Sequence, residues 1–595
     1  MSVSAITDRE TLDFLMFDVF KLERLASAQR FAAFDRDTVA AILDTAQRLA
    51  EDIFLPCAAD VDAFEPRFEN GQAITHPKVG PALKAYSDAG FMAAGFSEEL
   101  GGMGAPSMVL TAINGLFSAA NTSIQSYAML TVGAANLINA FGTQAQKDLF
   151  LPPMLSGRWT GTMCLSEPHA GSSLADIRTI ATPIGDDRYK LSGTKMWISG
   201  GEQDFSENIV HMVLAKTPDA PPGVKGISLF IVPKIRVEED GALSVRNNIA
   251  LAGLNHKMGN RGTTNTLLNF GEKGDCIGWL VGEEHRGLAY MFQMMNEARI
   301  AVGHGAAMLG LAGYLYSLDY AKERRQGRKL KEKDPSTAPV PLIAHTDVKR
   351  LLLAQKANVE GAMALIFFCA RLVDDIAASK DPDDIAHLEC LLDLMTPMAK
   401  SWPSEYCLEA NKHAIQVLGG YGYTKDYPTE RFYRDNRLNP IHEGAHAIHG
   451  IDLLGRKVRI AGGQAFKEFK SRVETTISQA GNVEALQGEV KALSKALIVL
   501  SDTTSAIVHA GNPERELANA TLYLDAFGHI AVAWLWLRQG LAVHKNTSAR
   551  PAFVQGKLQA MRYFYRYELP NALIKLSICK DMDDTCLSTP EEAFA

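Results

Sequence analysis

Cysteine is scarce in this 595-residue chain, with eight thiols and no Cys-x-x-Cys pair. That pattern excludes a zinc ribbon and a disulfide framework, so no metal is expected, and it reads as reduced thiols in a cytoplasmic protein. Concentrated charge is missing too. Lys and Arg number 60 against 68 Asp and Glu, a net charge of −8, with no basic block. No nucleic-acid partner is expected from such a surface. The N-terminal MSVSAITDRE has neither a basic flank nor an apolar stretch, so no signal peptide is read there. No apolar run approaches the ~20 residues of a membrane helix, so no membrane span is expected. Internal repeats and low-complexity tracts are also lacking.

What is present is an ordinary globular composition, 47% apolar and 22% charged. The length is too great for one core and suggests three or four domains. The first 160 residues are helical in pattern, with apolar residues recurring every three or four positions from Asp37 to Ile53 and a Gly-rich loop at 101–106. From about 161 to 285 the character changes. Tyr189–Ser199, Asn208–Lys216 and Gly226–Val232 are short, β-branched or aromatic runs bounded by Gly, Pro and Asp, which predicts strands. Helical periodicity returns at Leu288 and persists through Ala410, interrupted by a charged, Pro-containing loop at 329–341. A further helical stretch runs from Arg456 to about Ile574, with a long amphipathic segment at 531–543, and the acidic tail from Asp581 is expected to fray. The expected fold is therefore mainly α with a small β domain. Its parts are residues 1–160 (helical), 161–285 (β), 286–455 (helical bundle) and 456–595 (an extra helical module). Gly419-Gly420-Tyr421-Gly422 follows a helix rather than a strand, so a Rossmann fold is rejected.

Two features carry chemistry. One is a carboxylate in an apolar setting, Glu443 in Asn439-Pro440-Ile441-His442-Glu443-Gly444. The other is a Gly- and Ser-rich turn, Met163 to Ser172, suited to something phosphorylated or planar. Trp197 follows it, and together these suggest a flavin. A Glu between apolar neighbours can have its pKa raised towards neutrality, as a general base requires. The plainer alternative for Glu443 is a cap or loop anchor, and for Trp197 a core indole.

Five motifs, in order, resemble the acyl-CoA dehydrogenase family over roughly residues 40–455. They are MCLSEPHAGSSLADIRT (163–179), GTKMWISGG (193–201), MMNEARIAVG (294–303), ERRQGR (323–328) and QVLGGYGYTKDYPTERFYRDNRLNPIHEG (416–444). The added N-terminal segment, the loop after Gly327 and the C-terminal module are similar to a long subfamily of about 600 residues. That subfamily includes 3-methylmercaptopropionyl-CoA dehydrogenases and long bacterial fatty acyl-CoA dehydrogenases. The resemblance implies an α domain, a β-barrel domain and an α bundle. It also implies FAD-dependent dehydrogenation of an acyl-CoA to the trans-2-enoyl-CoA. Glu443 would take the α proton, flavin N5 the β hydride, and an electron-transfer flavoprotein or similar acceptor the electrons. The enolate oxygen would be held by the backbone N–H of Glu443 and a ribityl hydroxyl.

The same resemblance implies the remaining site residues. Met163, Leu165, Ser166, Trp197 and Ser199 match flavin-ring contacts, with Ser199 standing where Thr is usual. Ser172 matches a residue near the pantetheine and the flavin phosphate. Asn296, Arg299 and Gly444 match substrate contacts, Asn296 replacing a common Asp. Arg324, Gln326, Gln416, Gly419 and Gly420 match contacts to FAD shared between subunits, which implies a homo-oligomer and, with the extra module, a homodimer; His345 matches a further cofactor contact or a helix-capping His. After the base the chain departs from the family, reading Glu443-Gly444-Ala445-His446-Ala447. A hydroxyl is lost at Ala445, and His442 and His446 flank the base as space-fillers or proton-transfer groups. Three alternatives stay open. They are a dehydrogenase specific for 3-methylthiopropanoyl-CoA, a flavin oxidase, and a nucleic-acid-binding flavoprotein on the same scaffold.

Overall fold

The computed structural model describes residues 4–546 and 548–595, with side chains throughout these except at 293–295. Contacts group the chain into two compact units, residues 37–298 and residues 1–36 with 299–595. The sequence reading kept 1–160 together. In the structure the first 36 residues fold with the C-terminal part.

The 37–298 unit combines helices with a sheet. Its longest helix, α1 (Ser107–Phe141), is interrupted by non-helical dihedrals at Asn121. Eight strands follow: β1 (Trp159–Cys164), β2 (Ile180–Gly185), β3 (Arg188–Ser199), β4 (Asn208–Lys216), β5 (Ile227–Pro233), β6 (Ile249–Leu254), β7 (Asn265–Phe270) and β8 (Ile277–Leu280). They pair in the order β6-β7-β3-β8-β5-β4-β1, with β2 joined to β3 and β4. Where the resemblance implied a barrel, the described strands form a sheet whose two end strands do not pair. β1 and β4 run parallel, whereas β4 and β5 are antiparallel. β4 and β5 are buried almost end to end and largely apolar, because both of their faces are covered. β1 lies so close to α1 that a Cβ on Gly161 would meet the Ala134 methyl at 2.6 Å. One sheet element falls in the stretch read as helical. Arg67–Glu69 and Gln72–Ile74 form a hairpin. Its turn, Asn70-Gly71, has φ of 51° and 79°, the Asn-Gly signature of a tight hairpin.

The other unit is helical. α2 (Gly287–Glu323), whose first turns belong to the 37–298 unit, is followed by α3 (Thr346–Ala378) and α4 (Pro382–Leu418), which pack along their lengths. Among the later helices are α5 (His446–Gly455), α6 (Ala520–Lys545), α7 (Pro551–Tyr563) and α8 (Leu569–Lys580), with Gln464–Ala480 and Gln487–Val508 between α5 and α6. Two expectations are corrected here. The stretch 531–543 is not amphipathic, because α6 is buried on nearly all sides. Against the expectation that no run is long enough, α6 is also long and apolar enough to cross a membrane, yet 83% of its most apolar window is buried inside the protein. Its apolar faces are thus spent on packing. The tail from Asp581 forms two short exposed helical turns instead of fraying.

Candidate active site

In the 37–298 unit the Gly- and Ser-rich turn is anchored by a buried ion pair. Lys195 on β3 donates from Nζ to Glu167 Oε1 at 2.9 Å and to the Leu165 carbonyl at 3.0 Å. Glu167 also accepts from the backbone N–H groups of Arg178 and Thr179 and from the Thr179 hydroxyl. Burial works to raise the Glu167 carboxyl, but Lys195 and these donors outweigh it and hold it below the usual range. The turn therefore sits on a fully satisfied carboxylate. Neither Glu167 nor Lys195 was singled out from the sequence.

Trp197 lies at a β-bulge, where the pairing of β3 with β7 shifts between Thr266 and Leu268. Its φ is +65°, rare for a bulky side chain. The bulge buries both Lys195 and Ile198 and leaves the indole 57% exposed. A large flat ring held outwards by strained backbone fits a planar partner. Met163 is buried at the end of β1, Leu165 and Ser166 are half-buried, and Ser172 is exposed. The Ser199 hydroxyl accepts from Asn265 at 3.3 Å. Asn296 lies half-buried on α2, within this unit.

In the second unit Glu443 occupies a turn between the short helix Thr429–Asn436 and α5. Both it and Gly444 have positive φ, 51° and 92°. Gly444 is obligatory, because a Cβ there would meet His449 Nε2 at 2.7 Å. His449 Nε2 donates to the Glu443 carbonyl at 3.0 Å, and Lys400 Nζ to the Gly444 carbonyl at 2.6 Å. Burial raises the Glu443 carboxyl above its ordinary value, opposed by the nearby Arg299 and Lys400. Burial also draws Lys400 down to about 7.

Arg299, on α2, is buried, and its Nε and Nη1 have no hydrogen-bond partner among the described residues. The Asp452 carboxylate stands 3.8 Å from Arg299 Nη1, an ion-pair separation too long for a hydrogen bond. An unsatisfied guanidinium beside a raised carboxyl is suited to an acceptor from a ligand.

The flanking histidines are structural ties. His442 Nε2 donates to Asn439 Oδ1, the end of a buried amide chain running through Asn436 to Asn411 and the backbone of α2. Burial and Lys400 push its pKa down to about 3, so it is neutral. His446 Nε2 donates to Asp525 on α6 at 3.0 Å. The sequence reading named these two and missed Lys400 and His449, which lie outside the motif.

The remaining predicted residues lie in the same unit and are exposed, apart from the half-buried His345. The Arg324 guanidinium lies 5.7 Å from the Tyr421 ring. His345 Nε2 donates to the Gln326 carbonyl at 2.8 Å, closing the base of the 329–341 loop. Gln416, Gly419 and Gly420 are exposed where α4 ends, and Gly419 adopts φ +64°, ψ −135°, which favours glycine.

Four family descriptions match consecutive stretches. Residues 36–158 match the acyl-CoA dehydrogenase N-terminal domain, 162–272 the middle domain and 285–458 the C-terminal domain. Residues 469–590 match the acetyl-CoA dehydrogenase C-terminal-like family. The 3-methylmercaptopropionyl-CoA dehydrogenase of Ruegeria pomeroyi is 33% identical over 96% of this chain and 98% of its own length. The chain belongs to the acyl-CoA dehydrogenase family. It is an oxidoreductase of acyl-CoA thioesters and, like the family, a flavoprotein that takes FAD. The broad-specificity linear acyl-CoA dehydrogenase FadE5 of Mycobacterium tuberculosis is 32% identical over 98% of both chains. Among solved structures, the acyl-CoA dehydrogenase of Bacillus anthracis complexed with FAD has a TM-score of 0.74 at 20% identity, covering 94% of this chain and 90% of its own. That likeness carries the fold, extra helical domain included.

Proposed function

We propose that this family member removes two hydrogens across the α,β bond of an acyl-CoA, with Glu443 as the base that takes the α proton. The observation that carries the reading is the Glu443 turn, a carboxyl raised by burial on a pinned, left-handed backbone beside the unsatisfied Arg299. A raised carboxyl is matched to proton abstraction near neutral pH. Arg299 has free donors that would reach the thioester end of the substrate, and the Glu443 N–H would donate to the developing enolate oxygen, as the family resemblance implies. Preorganised donors of this kind contribute about 3 kcal/mol each.

The Met163–Ser172 turn, Trp197 and Ser199 are the residues of this chain that would hold the isoalloxazine ring. FAD supplies the hydride acceptor when bound. The relatives, a 3-methylmercaptopropionyl-CoA dehydrogenase and a broad-specificity linear acyl-CoA dehydrogenase, favour a small or linear acyl group, and 3-methylthiopropanoyl-CoA is the first substrate to try. Electrons would pass on to an electron-transfer flavoprotein.

Glu443→Gln tests the assignment. The amide is nearly isosteric, so flavin and acyl-CoA binding should persist while turnover falls by about 10²–10⁴ or more. Stopped-flow bleaching of the flavin at close to the wild-type rate in this variant would remove Glu443 from the role. Well-folded protein that neither carries FAD nor takes it up would remove the reading as a whole.

A further inference from the structure

Lys400 lies in the interior of α4, with 0% of its surface exposed. A buried lysine requires a reason, since burial disfavours its charge. Two prolines inside the same helix, Pro397 and Pro403, loosen the backbone around it. Pro403 has no N–H for the Ala399 carbonyl, and that carbonyl instead faces Gly303 of α2, where a Cβ would sit only 1.8 Å away. Helices α2 and α4 thus come together at the level of Arg299 and Lys400. The ammonium reaches out of α4 to the Gly444 carbonyl at 2.6 Å. The charged or titratable groups around the turn are Arg299 from α2, Lys400 and Glu405 from α4, His442 from the turn itself, and His449 and Asp452 from α5. His442 and His449 are both held neutral, at about 3. Of the cations, Arg299 has open donors for a ligand, whereas Lys400 is turned to the backbone.

We propose that Lys400 is a positioning residue for the base. Its ammonium fixes the left-handed Glu443–Gly444 backbone through the Gly444 carbonyl and favours the ionised carboxylate that proton abstraction needs. This rests on Glu443 being the base. With His449 on the preceding carbonyl, both strained residues have their carbonyls pinned from outside the motif. Glu443 and Lys400 each favour the other's charged form, against the burial that opposes both.

The test is kcat/KM against pH for acyl-CoA-driven flavin reduction in the FAD-loaded wild type, Lys400→Met and Lys400→Gln. Loss of a cation beside a carboxylate raises its pKa, so the acid limb should move up by about one pH unit or more in both variants. The plateau kcat should fall further in Lys400→Met, which loses the donor to Gly444, than in Lys400→Gln, which keeps one. If the Met variant does not fold, the Gln variant carries the pH measurement. An acid limb that stays in place, in protein with wild-type flavin content and melting temperature, overturns the proposal. Glu443→Gln in parallel keeps the two failures apart. A fast Glu443→Gln variant sinks the base assignment, whereas an inactive one with an unmoved Lys400 limb sinks only the role of Lys400.

Discussion

Trp197 and Glu443 share a left-handed backbone, with φ of 65° and 51°. Such conformations cost about 1–3 kcal/mol each and persist only where the surroundings over-determine them. At Trp197 the determinants are the bulge and the Lys195–Glu167 pair, and at Glu443 they are Lys400 and His449. Two predictions belong at this scale. Lys195→Met leaves Glu167 buried and unpaired, which should destabilise the protein by about 3–5 kcal/mol and lower FAD retention. Glu167→Gln added to Lys195→Met should recover part of both, as read by denaturant titration and flavin absorbance. The second concerns stability against pH. The folded-state pKa of Glu443 is raised, so the carboxyl's contribution is full below its unfolded value and is lost as pH rises through the folded one. Glu443→Gln, always neutral, should therefore gain melting temperature over the wild type as pH rises from 5 to 8. Equal melting curves across that range would contradict the burial.

At the scale of elements, the site depends on how closely helices approach. Gly303 on α2 meets Ala399 on α4, and Gly450 on α5 packs against the backbone of Ala520 at the start of α6. Gly303→Ala forces α2 and α4 apart at the level of Arg299 and Lys400, and overpacking of this kind costs typically about 1–3 kcal/mol. It should lower kcat as well as stability, although Gly303 itself bears no reacting group. A variant destabilised in urea with kcat intact would show that the spacing of α2 and α4 is not what sets the turn. α6 joins the same arrangement through Asp525, which accepts from His446 and from Lys575 of α8. The C-terminal module thereby holds the first residue of α5.

For the whole chain, the first 36 residues close the helical unit. Thr11 accepts from Lys557 of α7, whose ammonium also reaches Glu360 of α3, and Glu360 is paired with Lys356 as well. Arg371 of α3 donates to the carbonyls of Phe20 and Lys21. Two lysines thus share one buried carboxylate. Glu360→Gln leaves them facing each other, a loss of about 3–5 kcal/mol that should appear as a lower, less cooperative unfolding transition. The family resemblance matches the exposed Arg324, Gln416 and Gly419 to FAD contacts shared between subunits, and on that ground a homodimer is proposed. If a second chain completes the adenosine end of the cofactor site, light scattering should report a dimer, and Arg324→Ala should release FAD more readily. A stable monomer with full flavin content would refute the shared site.

By itself the sequence determined the alternation of helical and strand regions, the family, and the residues in unbroken local motifs. Trp197, Glu443 and the Met163–Ser172 turn are legible because their neighbours along the chain carry the pattern. Only the tertiary structure decided what holds them. Lys195 is 28 residues from Glu167, and Lys400 is 44 residues from Gly444. Hydrogen-bond partners so far apart leave no periodicity to read. The surroundings of α6 were likewise hidden, since an apolar helix has the same composition whether protein or lipid covers it. Here the packing of α3, α5 and α8 around it supplied the answer.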